Sequence, residues 1–136
     1  MNVRKMICIS SLKLPECSFT LIDSIGKKVR VAQDIAARIG LKNVICRHER
    51  AEEDKDKYEF ILSRGVMPLP DLCQVAGHML DRKTQRNAYP NGVICLKGGD
   101  LSTETAKFKK VAEITDISLY FQEEFFKDKK TVYVQI

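Results

Sequence analysis

Apolar and polar positions along the chain follow two alternating periods. Ser18–Asp23 is a short apolar run that ends in an acid, the pattern of a buried strand. From Lys27 to Ile39, the apolar residues Val31, Ala32, Ile35, Ala36 and Ile39 recur at three- and four-residue spacing, which predicts a helix with one apolar face. Gly40 is placed to close that helix in a left-handed conformation. Asn43–Arg47 predicts a second strand, and polar Glu49–Lys57 a loop or a single exposed turn. Tyr58–Ser63 predicts a third strand that stops at Arg64 and Gly65. Pro68 and Pro70 then open a helix with Leu69, Leu72, Cys73, Ala76 and Leu80 on its inner face. Proline suits a first turn, where its missing N–H would be unpaired anyway. After a basic, polar loop at Asp81–Pro90 come a fourth strand at Gly92–Lys97 and a short helix at Ser102–Lys110. Two closing strands, Glu113–Leu119 and Thr131–Gln135, flank Tyr120, Phe121, Phe125 and Phe126. Ahead of all this, Met6–Ile9 fits a strand or one side of a short helix, ended by Pro15.

Strands separated by helical patterns predict an open α/β sheet. The closing pair, with no clear helix between its members, predicts an antiparallel hairpin at one edge. Ligands of such sheets bind at the carboxyl ends of the strands. Asp23, the loop after Cys46, Ser63–Arg64 and Lys97–Gly98–Gly99 are therefore expected along one rim. Two carboxylate oxygens can accept from both hydroxyls of one ribose, so Asp23 is suited to gripping a nucleoside. It can also cap the helix that follows. Convergence of the other strand ends on the same rim favours the ligand.

Composition narrows the classes. A chain of 136 residues corresponds to a single domain over 1–136, long enough for one core and too short for two. Hydrophobic content of 44% with 30% charged residues fits a globular protein, and no apolar run nears the roughly 20 residues a membrane span needs. The N-terminal apolar segment breaks at Ser10 and lacks a small-residue cleavage site, which argues against a secretory signal. Cys8, Cys17, Cys46, Cys73 and Cys95 form no CxxC pair and leave one over. They read as reduced thiols, Cys46 and Cys95 inside apolar strands, in a cytoplasmic protein. His48 and His78 are not spaced with acids or thiols as a metal site requires, so no metal is expected. The net charge of +5 favours a polyanionic partner, although the basic residues are scattered.

Several short segments then carry a resemblance. Phe19-Thr-Leu-Ile-Asp-Ser with Gly26-Lys-Lys, Gly40-Leu-Lys-Asn-Val, Arg50-Ala-Glu, Ser63-Arg64 and Leu96-Lys-Gly occur in this order and spacing. In them the chain resembles the GidB (glucose-inhibited division protein B) family, methyltransferases that modify a guanine N7 in small-subunit ribosomal RNA. The resemblance runs from about Pro15 to the C-terminus, and the final Tyr120-to-Val134 segment is similar to one branch of that family.

The resemblance implies a class I methyltransferase (Rossmann-like) sheet, mostly parallel with an antiparallel C-terminal edge, and S-adenosylmethionine as cofactor. It implies that Asp23 holds the cofactor ribose and that Ala51 and Glu52 lie beside the adenine. Arg64 would be the cofactor-proximal, catalytic arginine near the reaction centre. Lys97 would meet RNA phosphate as a point charge, together with Lys27 and Lys28. Read alone, Glu52 is equally a solvated loop acid, Lys97 an exposed strand-end lysine, and Arg64 one partner of an ion pair. Guanine N7 keeps a free lone pair, so its methylation needs no general base and no metal. Catalysis would rest on aligning that nitrogen with the sulfonium methyl. The expected partner is ribosomal RNA or a ribosomal particle, met by a monomer without a membrane.

One departure stands out. The family opens this domain with a strand and a glycine-rich cofactor loop, whose backbone N–H groups cradle the methionine end. Here the first glycine is Gly26, already past Asp23. The chain thus looks like an N-terminally truncated copy lacking that strand and loop, with residues 4–10 a partial substitute. The expected consequence is weak or no cofactor binding by these residues. The alternative function is a non-catalytic remnant or RNA-binding α/β module without a working cofactor site.

Overall fold

A computed structural model describes residues 14–64 and 67–136. They divide into two units, one up to Asp54 and one from Lys55 onward. The element anticipated at Met6–Ile9 lies outside the described residues.

The first unit is a β-α-β arrangement: β1 (Phe19–Asp23), α1 (Gly26–Arg38) and β2 (Val44–His48). The two strands are parallel and in register from Phe19↔Val44 to Asp23↔His48. Leu21 and Ala32 are buried against one another, with Phe19 and Cys46 packed around them. Helix α1 ends as the glycine predicts. Gly40 has φ 71°, and the Leu41 and Gly40 N–H groups donate to the Ala36 and Ala37 carbonyls, satisfying the last turn. At the entry to β1, the Asn43 side-chain amide donates to the Leu14 and Cys17 carbonyls at 3.2 and 2.9 Å. A single 3₁₀ turn, Ala51–Glu53, follows β2 in the stretch expected to be a loop or one turn.

The second unit is a four-stranded sheet, in the order β3-β4-β6-β5, with helices beside it. Its strands are β3 (Phe60–Arg64), β4 (Gly92–Gly98), β5 (Ala112–Asp116) and β6 (Lys129–Val134). β3 and β4 are parallel, whereas β6 runs antiparallel to both β4 and β5. The antiparallel edge is thus present, but its last strand in sequence lies inside the sheet. Helix α2 (Leu69–Gly77) buries Leu69, Leu72, Cys73 and Ala76. These join Val93, Cys95, Val132 and Val134 in one core. Alternation puts Ile94, Thr131 and Tyr133 on the other sheet face, where with Phe60, Tyr89, Glu113 and Thr115 they line a shallow concavity of about 280 Å³.

Three element boundaries differ from the periodicity. Tyr58 makes an isolated parallel bridge to Leu80 rather than opening β3, because its N–H and C=O pair with Met79 and Asp81. The predicted helix at 102–110 is one α-turn, α3 (Ser102–Thr105), that tightens into 3₁₀ at Ala106–Phe108. The strand begun at Ala112 stops at Asp116, and Ile117–Leu119 is a 3₁₀ turn. Among the described residues, the strands pair as one two-stranded and one four-stranded sheet.

Candidate functional site

In the first unit the predicted residues gather at the carboxyl ends of β1 and β2. Asp23 is half-buried at the tip of β1, and its Oδ1 accepts the Ile25 N–H at 2.9 Å. That bond tightens a turn. The helix N-cap is Ile25, whose side chain makes no capping bond, so Asp23 is not the cap of α1. Directly across the register stands His48, whose Nε2 lies 3.1 Å from the Ser24 carbonyl oxygen. Its ring rests on Gly26, where an added Cβ would meet Cε1 at 3.0 Å. The glycine permits this close approach, and its φ is not positive.

Past β2, Ala51 is half-buried and Glu52 exposed on the 3₁₀ turn. The turn is anchored by Arg47, whose Nη1 reaches Asp54 Oδ1 at 3.5 Å and Glu49 Oε1 at 3.7 Å. Asp54 is only 3% exposed, so an ion-pair partner there offsets part of the cost of burying a carboxylate. Lys27 is exposed and Lys28 half-buried in the first turn of α1. No acid stands in that turn.

In the second unit, Arg64 is exposed at the end of β3, opposite Leu96 of β4. It makes no ion pair among the described residues. Lys97 is placed differently. Its side chain is 10% exposed, and Nζ lies 3.1 Å from Glu104 Oε2 and 2.6 Å from the Met67 carbonyl. The same carboxylate oxygen accepts the Leu69 N–H at 2.7 Å. An anion at that position satisfies a donor the helix cannot, and it interacts favourably with the helix dipole. Lys97 and Glu104 therefore tie β4, α3 and the start of α2 together, and Lys97 is not an exposed strand-end lysine.

Two participants escaped the sequence. His48 has no acid or thiol at metal-site spacing in the sequence, yet its position at the end of the strand paired with β1 places it opposite Asp23. Glu104 lies 35 residues from Leu69, and no periodicity links them. Among the described residues no group of three or more His, Cys, Asp or Glu side chains could hold a metal ion. None of their helices is long and apolar enough to cross a membrane.

Comparison with known proteins adds a family. The pattern described as "GidB: rRNA small subunit methyltransferase G" matches residues 8–133. A protein named ribosomal RNA small subunit methyltransferase G from Bacteroides thetaiotaomicron is 54% identical over 126 residues, covering 93% of this chain and 61% of that protein. Its namesakes from Phocaeicola vulgatus and Porphyromonas gingivalis are 53% and 45% identical. The chain thus spans about 60% of the length of the curated relatives it matches. The fold resembles the crystal structure of an rRNA methylase from Streptococcus thermophilus, with a TM-score of 0.55 and 7% identity, covering 88% of this chain and 74% of that one.

Proposed function

The chain belongs to the GidB family, rRNA small subunit methyltransferase G, and from that premise we propose that its residues form the larger part of an S-adenosylmethionine-dependent enzyme that methylates a guanine N7 of small-subunit ribosomal RNA. The observation that carries this is the Asp23 carboxylate, held at the carboxyl end of β1 by the Ile25 N–H. Acceptor oxygens at that point of an α/β sheet suit the hydroxyls of a ribose. The finer fold that goes with this function is a single-domain class I methyltransferase of Rossmann-like type, of which these residues form the part that follows the first strand and glycine-rich loop. In its support, β1 and β3 each have a β partner on one side only among the described residues.

The residues present suit the nucleoside half of the cofactor. Asp23 would hold the ribose, and the backbone of Ala51 with the Glu52 carboxylate would border the adenine. None of residues 1–25 is a glycine, so these residues are assigned no part in holding the methionine end. When bound, the cofactor supplies an electrophilic methyl group. The acceptor nitrogen already carries a lone pair, so the chain's task is to orient the base and complement charge. Arg64, exposed at the end of β3, would do so beside the reacting groups. Lys27 and Lys28 would meet RNA phosphates, whose binding by point charges weakens steeply with salt. Lys97 would act on RNA only after releasing Glu104, so its proposed part is to hold the start of α2. A cytoplasmic monomer acting on ribosomal RNA or a ribosomal particle completes the proposal.

A second function is RNA binding by these residues without a working cofactor site. Calorimetric titration with S-adenosylmethionine separates the two. The 136-residue chain should bind weakly or not at all. The chain extended by the preceding segment of the Bacteroides thetaiotaomicron relative should bind saturably, and Asp23→Ala should abolish that binding. A folded, extended chain that gives no heat would overturn the enzyme proposal.

A further inference from the structure

We infer that His48 is the positioning residue for Asp23, fixing the turn between β1 and α1 that presents the carboxylate. The inference rests on the proposed role of Asp23 as ribose acceptor, but its geometry stands in the chain by itself.

The hydrogen bonds of α1 begin at Ile25, whose carbonyl accepts from both the Lys28 and Val29 N–H groups. The Ser24 carbonyl therefore lies one residue outside the helix. His48 supplies its partner from the neighbouring strand, with Nε2 at 3.1 Å. A carbonyl oxygen only accepts, so in this bond Nε2 is the donor. The ring lies flat enough on Gly26 that a methyl there would stand 3.0 Å from Cε1 and 3.2 Å from Nδ1. One side chain thus touches both residues that flank Ile25, and the Ile25 N–H donates to Asp23 Oδ1. Register explains why position 48 serves. Asp23 and His48 are paired residues at the ends of two parallel strands, so the ring meets the turn as the chain leaves β1. His48 is itself exposed, and burial of its ring does not account for this placement.

Three substitutions in the 136-residue chain separate the hydrogen bond from the packing. His48→Phe keeps an aromatic face on Gly26 and removes the donor. His48→Gln carries an N–H at the same bond distance from Cβ as Nε2. Gly26→Ala displaces the ring. The readout is the Ile25 amide, by NMR chemical shift and hydrogen exchange, with no cofactor present. Loss of one supporting hydrogen bond should speed Ile25 exchange about tenfold in His48→Phe and Gly26→Ala. His48→Gln should restore the slow rate. Equal exchange in wild type and His48→Phe would overturn the inference, as would His48→Gln behaving like His48→Phe. In the extended chain, the same substitutions should weaken S-adenosylmethionine binding in the same order. If the amide responds as described while Asp23→Ala leaves cofactor binding unchanged, the positioning stands and the ribose role of Asp23 falls.

Discussion

Lys97 Nζ stands 3.1 Å from Glu104 Oε2, and that same oxygen accepts the N–H of Leu69. A mostly buried cation, an acid and a helix terminus thus share one atom. Removing one partner should leave the other charge desolvated and uncompensated. Lys97→Met is expected to cost about 3 kcal/mol, the low end for a broken buried pair because Glu104 keeps some solvent contact. Adding Glu104→Gln should recover part of that loss. A double-mutant cycle by urea unfolding measures the coupling, and additive losses would show that the two side chains act independently.

Glu59 predicts a pH dependence. Hydrogen bonds from Arg86 and Asn87 hold its carboxyl below the usual glutamate range. A group whose folded-state pKa is depressed contributes stability that is present above its unfolded pKa and lost as pH falls through the folded one. Wild type should therefore exceed Glu59→Gln at pH 7, by less than about 1 kcal/mol for so exposed a pair. The difference should vanish as the acid titrates. Thermal melts of both proteins from pH 7 to pH 3 check the sign.

The thiols should divide sharply. Burial pushes Cys95 up to about 11 and raises Cys73 as well, while Cys17 is exposed. The thiolate is the nucleophile, so a maleimide or iodoacetamide at neutral pH should label Cys17 in the folded chain. Cys73 and Cys95 should label only after denaturation. Peptide mapping by mass spectrometry reads this directly.

Gly92 and Gly99 should fail for different reasons. A Cβ on Gly92 would stand 2.4 Å from the Val134 carbonyl oxygen, a backbone atom of the neighbouring strand. Gly92→Ala should cost about 3 kcal/mol through displacement of β6. Gly99 has open space around it but a φ of +74°, so Gly99→Ala should cost about 1 kcal/mol from backbone strain alone. Chemical denaturation of the two variants ranks them.

Much of the local structure was legible because single elements announce themselves. The apolar repeat of Val31 to Ile39, the stop at Gly40 and the runs ending at Asp23 and Arg64 all carry their own periodicity. The 3₁₀ segments were less visible: Ala106–Phe108 and Ile117–Leu119 are compatible with several conformations, and tertiary packing decides between them. Side-chain partnerships were least visible. Lys97 looks like any strand-end lysine until Glu104, on a different element, is brought against it. His48 acquires its neighbours only when β1 and β2 pair with their ends level.

The sheet order of the second unit has a consequence for biosynthesis. β6 lies between β4 and β5 although it is the last of the three to be made. When β5 leaves the ribosome, the strand it pairs with does not yet exist, and Val93 and Cys95 still lack Val132 and Val134 as neighbours. The exposed edge of β4 must therefore wait, available to any other strand, until residues 129–134 are released. Partners that shield nascent chains should matter most during that interval, and stalling translation just before Lys129 should yield a chain more prone to aggregate than stalling well after it.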